Sequence, residues 1–527
     1  MKRHTPAPEG YYEDDQDEVD ELDPGATHAG LRQRVAAVFG TSYGISIAVH
    51  VAILLVLATI LIASPPPEAV AQLQVVPRAA EPPRLEERTP DLKDSPLVPL
   101  EEPVETPIII LNEEVEITTD VPKGVSFDNA SNKHLDAHDI NDAIGTGGGA
   151  SGAYGSRFGH GTPGEGGGPE TTNAVRGALE WLADHQSPDG RWEAAAWTKN
   201  CEATPCAGPG TNLGGDHDLG VTALATLAFL GDGNTHRFGK TPRFRLVVQR
   251  ALKWMKTQQR ADGSMGLHGS EQEHIYDHAI STMALCEAYA ITRDFELKRV
   301  AERATAYLVA AQNPGLGWKY GVRSGRNDTS VTGWCVLALK ASRTAGFEVP
   351  DEAFTGAHAW FVRATDSEGN TGYETPGGGS SFLGPNDGKF DEDPVNTAVG
   401  VLGRLLMGER RSEDAMRKGG RILLGRAPSW PEPAKTRAVN FYYWYYGTYA
   451  MFQLGGQPWH DWNERMKSAL LPMQRRGGCE SGSWDPVDPW SLIGGRVYAT
   501  AINALTLEIY KRYERVKEQA GNGERPR

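Results

Sequence analysis

"ALEWLADHQSPDGRW" (residues 178–192), "ALKWMKTQQRADGSM" (251–265) and "ATAYLVAAQNPGLGW" (304–318) superpose without gaps on Gln186, Gln259 and Gln312. Each begins with apolar residues at helical spacing and ends in a Gly-containing turn, so each predicts a helix and its exit. Weaker copies place Thr365 and Ala427 in the Gln position, and "MKSALLPMQRRGGCESGSW" restores it at Gln474. Every copy is followed by a second helical pattern, as in "DLGVTALATLAFL" and "DHAISTMALCEAYA". The second helices are apolar nearly all round, whereas the first carry charged faces. Six helix pairs with a buried inner and a half-exposed outer member predict an all-α (α/α)6 toroid. An open solenoid is the competing architecture, but solenoids keep a tighter repeat.

The 527 residues carry a net charge of -15, so no basic field is available for nucleic acid. "GISIAVHVAILLVLATILIA" (44–63) is long enough and apolar enough to span a bilayer. Arg32 and Arg34 precede it and no cation closely follows, which places the N-terminus in the cytoplasm. The expected organisation is an acidic disordered cytoplasmic segment over 1–43, a transmembrane helix over 44–63 and a Pro-rich, then Gly-rich periplasmic linker over 64–168. The toroid follows over 169–515, then a disordered tail over 516–527. The expected location is the inner membrane, single-pass, with the C-terminal domain outside the cytoplasm.

The Q-x-x-x-G-x-W pattern at Gln186 to Trp192 and Gln312 to Trp318 resembles the QW repeat of squalene and hopene cyclases, whose toroid is shared by protein prenyltransferase β subunits. The resemblance covers about 350 residues and implies the fold; for the Gln and Trp it implies a structural role, with Gln bonding orphan N–H groups at the next helix start. The catalytic sets do not carry over. The cyclase acid motif D-x-D-D-T-A, aligned on Thr397 and Ala398, puts Val395 in the place of the acid. The prenyltransferase zinc motif D-x-C does not occur, and neither a metal nor a cofactor is expected.

Asp precedes Thr by four residues at three inner-helix starts, Asp218 with Thr222, Asp328 with Thr332 and Asp393 with Thr397, while His278 precedes Thr282 with Asp277 beside it. Capping explains an Asp at such a position. In a ring, however, these starts converge on one mouth, so Asp277, His278, Asp328 and Asp391 are candidate catalytic groups. Asp218, Tyr276, Trp334, Asp393, Tyr443, Trp444 and Tyr498 are candidate ligand contacts; they suit a lipid, a glycan or a protein. Asp393 is expected at an N-cap, with Pro394 at the first helical position.

Cys201 and Cys206 fit either a local disulfide or two unpaired loop thiols. Cys286 and Cys335 read as core residues, and Cys479 is left over. Ser46 and His50, one helical turn apart within the span, resemble the S-x-x-x-H anchor of TonB-type and TolA-type energy transducers, which implies proton-channel motor subunits as partners. The sequence therefore predicts a membrane-anchored binding toroid, with a cyclase-like or carbohydrate-active enzyme as the alternative.

Overall fold

A computed structural model describes residues 50–51, 154, 157, 166–201, 206, 217–266, 274–379, 394–431 and 439–513. Contacts divide the chain into Met1–Asn112 and Glu113–Arg527. In the first unit His50 and Val51 are helical and exposed. Ser46 and the rest of the 44–63 segment lie outside the described residues. No described helix is long and apolar enough to cross a membrane.

The second unit is all-α. Its outer helices are α1 (Pro169–Asp184), α3 (Pro242–Thr257), α5 (Phe295–Ala311), α7 (Asp351–Ala364), α9 (Asp414–Gly425) and α11 (Gly456–Leu470). Its inner helices are α2 (Asp218–Gly231), α4 (His274–Thr292), α6 (Thr329–Ala345), α8 (Val395–Leu406), α10 (Phe441–Leu454) and α12 (Ser491–Leu507). Each inner helix packs on the next, and α12 packs on α2. The ring is therefore closed, which an open solenoid would not be.

Amphipathicity sorts the two layers. In α2 every residue from Leu219 to Gly231 is buried, whereas α3 buries only Phe244, Val247, Val248, Ala251, Leu252 and Met255, a single stripe at three- and four-residue spacing. Helix α3 starts where Thr241 Oγ1 accepts the Phe244 N–H and Pro242 occupies the first turn.

The repeated Gln holds adjacent units together, though not as the sequence suggested. Its side chain donates rather than bonding orphan N–H groups. Gln186 Nε2 donates to Gly190 O (2.8 Å) and to Val247 O of the next outer helix (2.9 Å). Gln312 Nε2 does the same to Leu316 O (2.6 Å) and Ala353 O (2.8 Å). Gln474 Nε2 reaches Gly482 O and Ala174 O, both at 2.7 Å, so the last unit is tied to α1 by the bond that elsewhere ties neighbours. The Gly of the motif is required by geometry: Gly190 has φ +104°, and a Cβ there would sit 2.3 Å from Arg250 O.

The Trp and Thr positions complete the turn. The indole N–H of Trp192, Trp318 and Trp484 donates to Leu182 O, Leu308 O and Leu470 O, carbonyls in the last turn of the preceding outer helix. The backbone N–H of Trp192, Trp318 and Thr371 donates to Thr222, Thr332 and Thr397 Oγ1 at 2.9 to 3.0 Å. The recurring Thr thus anchors the turn to the inner helix.

Two residues of the Gly-rich segment reach one end of the ring. Tyr154 and Arg157 are buried in the toroid. Arg157 Nη1 lies 2.8 Å from Glu287 Oε2, and Arg512 Nη2 lies 2.9 Å from Glu287 Oε1, with all three side chains inaccessible to solvent. Arg157 also donates to Leu230 O near the C-terminal end of α2 and to Arg512 O at the end of the short helix Ile509–Arg512 that follows α12. The shared carboxylate lowers the cost of burying the two guanidinium groups.

Candidate functional site

The opposite end of the ring, where the inner helices begin, holds a cavity of about 530 Å³. Its wall includes Tyr276, Trp334, Tyr442, Trp490 and Tyr498, with Tyr320 and Tyr373 from the turns above α6. Trp334 stacks on Tyr442 (6.4 Å) and Tyr445 (5.6 Å), and Tyr442 packs edge-on to Trp490 (5.5 Å). These contacts fix flat apolar surfaces in place.

The hydroxyls form two short chains. Tyr276 Oη donates to Ser330 Oγ (2.5 Å), which is 2.6 Å from Tyr442 Oη. Tyr320 Oη bonds Tyr373 Oη, and Tyr373 Oη donates to Asp328 Oδ2 (3.1 Å). The charges of the site are matched in place: Lys319 and Arg326 both pair with Glu374, and His217 Nδ1 lies 3.3 Å from Asp277 Oδ2. Burial pushes the Lys319 ammonium below its ordinary range.

Of the expected catalytic groups among the described residues, only Asp277 lines the cavity. Asp328 is fully buried behind Tyr373 and caps α6 by accepting the Val331 N–H (2.7 Å). Burial pushes its carboxyl up to about 7, against the lowering effect of that bond. His278 is also fully buried and turned away from the mouth. Its Nδ1 accepts the Met265 N–H (3.2 Å) and its Nε2 donates to Ala304 O (3.0 Å), so it takes the anchoring role that Thr plays in other units. Asp391 and Asp393 lie outside the described residues. Helix α8 begins at Val395 with Pro394 at its N-cap, one residue later than expected.

The expected ligand contacts divide in the same way. Tyr276, Trp334 and Tyr498 line the cavity. Asp218 instead accepts the Ala194 N–H (2.8 Å) from the preceding turn. Tyr443 donates to Leu423 O (3.2 Å), and Trp444 packs on Trp430 and Phe441. In α10 the helical period sends residues 442, 445, 446 and 449 towards the ring centre, so 443 and 444 face the outer layer. Sequence reasoning missed Tyr320 and Tyr373, although each stands two residues after the Trp position of its repeat. It also missed Asp488, a fully buried carboxyl that accepts the N–H groups of Ser491 (3.0 Å) and Phe441 (3.1 Å) and is pushed up to about 7 by burial.

Neither a family model nor a curated protein matches this sequence. Among solved structures, the chain is similar to the type II terpene cyclase MstE from Scytonema, at 15% identity and a TM-score of 0.40, over 64% of this chain and 97% of that one. It is likewise similar to an inactive α-1,6-mannanase variant of Salegentibacter, at 12% identity and a TM-score of 0.43, over 65% and 99%. An α-amylase from Clostridium perfringens matches at 10% identity and a TM-score of 0.39, over 65% and 98%. The similarity is distant and concerns the α/α toroid fold.

The buried imidazole gives a pH test. Burial lowers His278 from 6.5 to about 4, so the unfolded chain binds its proton first as pH falls. Its contribution is complete above about 6.5 and is lost between there and about 4, by at most about 3 kcal/mol. Asp328 and Asp488, raised from 3.8 to about 7, act with the opposite sign, since their effect favours folding below 3.8 and fades as pH rises through 7. Urea unfolding of the protein and of His278→Gln separates them: the difference in stability between the two should shrink as pH falls from 7 to 4.5. A constant difference would contradict the neutral, buried assignment.

Proposed function

We propose that the chain is a membrane-anchored, envelope-facing protein whose toroid binds a ligand in the aromatic cavity, without the acid chemistry of the cyclases it resembles. The observation that carries this reading is the cavity wall itself. Seven aromatic side chains surround it, its cation-bearing side chains Lys319 and Arg326 both pair with Glu374, and Val395, in the place of a cyclase acid, is part of its lining. Stackable faces edged by tyrosine hydroxyls suit an uncharged ligand with flat faces and hydroxyl groups, as a neutral glycan has. A polyprenoid lipid is the other class that the wall accommodates.

The binding test uses the full chain, with tryptophan fluorescence read against neutral oligosaccharides and against polyprenyl lipids. Saturable binding of the oligosaccharides, weakened about tenfold or more by Trp334→Ala, supports the glycan reading. Binding of the lipids alone would replace it, and binding of neither would contradict the proposal.

A second reading rests on Asp328. A carboxyl held near neutrality behind a tyrosine hydroxyl is suited to pass a proton to the cavity through Tyr373. Product formation that Asp328→Asn abolishes without moving the melting temperature would establish the enzyme in place of the binder.

The 44–63 segment is the proposed anchor, with Ser46 and His50 facing proton-channel motor subunits. The toroid should stay with the membrane fraction after an alkaline carbonate wash. Release of the full chain into the wash would refute the anchor.

A further inference from the structure

Away from the cavity, on the seam between the first and last units, four side chains converge that neither the ring nor the candidate site uses. His185 ends α1, Cys201 and Cys206 follow in the same unit, and Cys479 arrives from the turn between α11 and α12, 294 residues beyond His185. One atom from each, the imidazole Nε2 and three Sγ, falls within 4.8 Å of every other.

The distances have a specific form. Nε2 of His185 lies 3.3 Å from Cys479 Sγ, 3.4 Å from Cys206 Sγ and 3.5 Å from Cys201 Sγ. A ring nitrogen has a single lone pair and accepts one hydrogen bond, so three sulfurs at nearly equal range are not explained by hydrogen bonding. They are explained by a shared centre. With Zn–N near 2.0 Å and Zn–S near 2.3 Å, a tetrahedral ion separates its nitrogen and sulfur ligands by about 3.5 Å. No disulfide joins the three cysteines.

The surroundings prepare the ligands. Nδ1 of His185 lies 2.8 Å from Trp181 O and, protonated, donates to it, which leaves the Nε2 lone pair directed at the sulfurs. The ring also stacks on Trp181 (4.2 Å). The Cys206 N–H donates to Cys201 Sγ (3.3 Å), and Asn200 Nδ2 holds the His185 carbonyl (3.1 Å). His185 and Cys206 are buried, and Cys201 and Cys479 are half-buried.

We propose that His185, Cys201, Cys206 and Cys479 form a tetrahedral Zn²⁺ site that staples the last repeat of the toroid to the first. Three thiolates and one imidazole match a borderline-soft ion in a closed structural site, with no position left for a substrate. Binding releases one proton from each thiol and leaves the centre with a single negative charge. The site lies beside the Gln474 to Ala174 bond, on the same seam, and closes the ring through side chains where that bond closes it through backbone.

The test is metal analysis of the full chain purified without chelator. About one Zn²⁺ per chain is expected, falling at least tenfold in Cys479→Ser. Replacing Zn²⁺ with Co²⁺ in the unaltered chain should give the intense visible absorption of a tetrahedral thiolate complex, a reading that does not depend on any variant folding. A strong chelator should lower the melting temperature of the unaltered chain but not that of Cys479→Ser. The proposal is overturned by a folded chain that binds neither ion, by an octahedral Co²⁺ spectrum, or by a mass two hydrogens short with Cys201 and Cys206 joined.

Discussion

A turn packed between two layers of helices leaves backbone carbonyls where water cannot reach them, and each needs a donor. In this protein one glutamine amide supplies two of them at once, reaching its own turn and the next outer helix. Because every such amide faces the following unit, the bonds have a direction around the ring. The last of them, from Gln474 to Ala174, is what makes the direction return to its start. The indole that satisfies the preceding helix end and the threonine that holds the turn to the inner helix follow from the same need.

Closure gives the ring two unlike ends. Where the inner helices finish, carbonyls of α2 draw in Arg157 and Arg512, which share the Glu287 carboxylate, so this end is filled by charge in a dry setting. Where they start, capping carboxylates such as Asp328 and Asp488 turn to backbone N–H groups and leave aromatic rings to form the wall. A carboxylate that is bonded to backbone N–H groups is occupied, and for that reason Asp218 and Asp328 of the expected acidic cluster do not line the cavity, whereas Asp277 does.

The fold was legible because repetition and amphipathic period are local signals, present in Gln186, Gln259 and Gln312 and in the unbroken apolar run of α2. The candidate site was legible only in part. Tyr276, Trp334 and Tyr498 sit on the inward faces of helices whose starts the sequence marks. Tyr443 and Trp444 were misplaced by one or two residues, and on a helix that is a turn of 100 to 200 degrees about the axis. Arg157 was hidden in a Gly-rich composition that carries no helical period. The four side chains of the proposed metal site were not legible as a set for a different reason: His185 looks like part of the repeat, and Cys479 meets its partners only once the ring has closed.

That closure is the claim on which the cavity, the buried charges and the seam all rest. The most direct measurement is a distance between spin labels carried by non-canonical residues at Arg176 on α1 and Arg465 on α11, two exposed positions on the first and last outer helices. Neighbouring helices stand about 10 Å apart, so a closed ring predicts a single short distance of roughly 10 to 25 Å. An open array of six pairs would separate the labels by about five helix spacings, roughly 50 Å, and a distribution centred there would contradict the account.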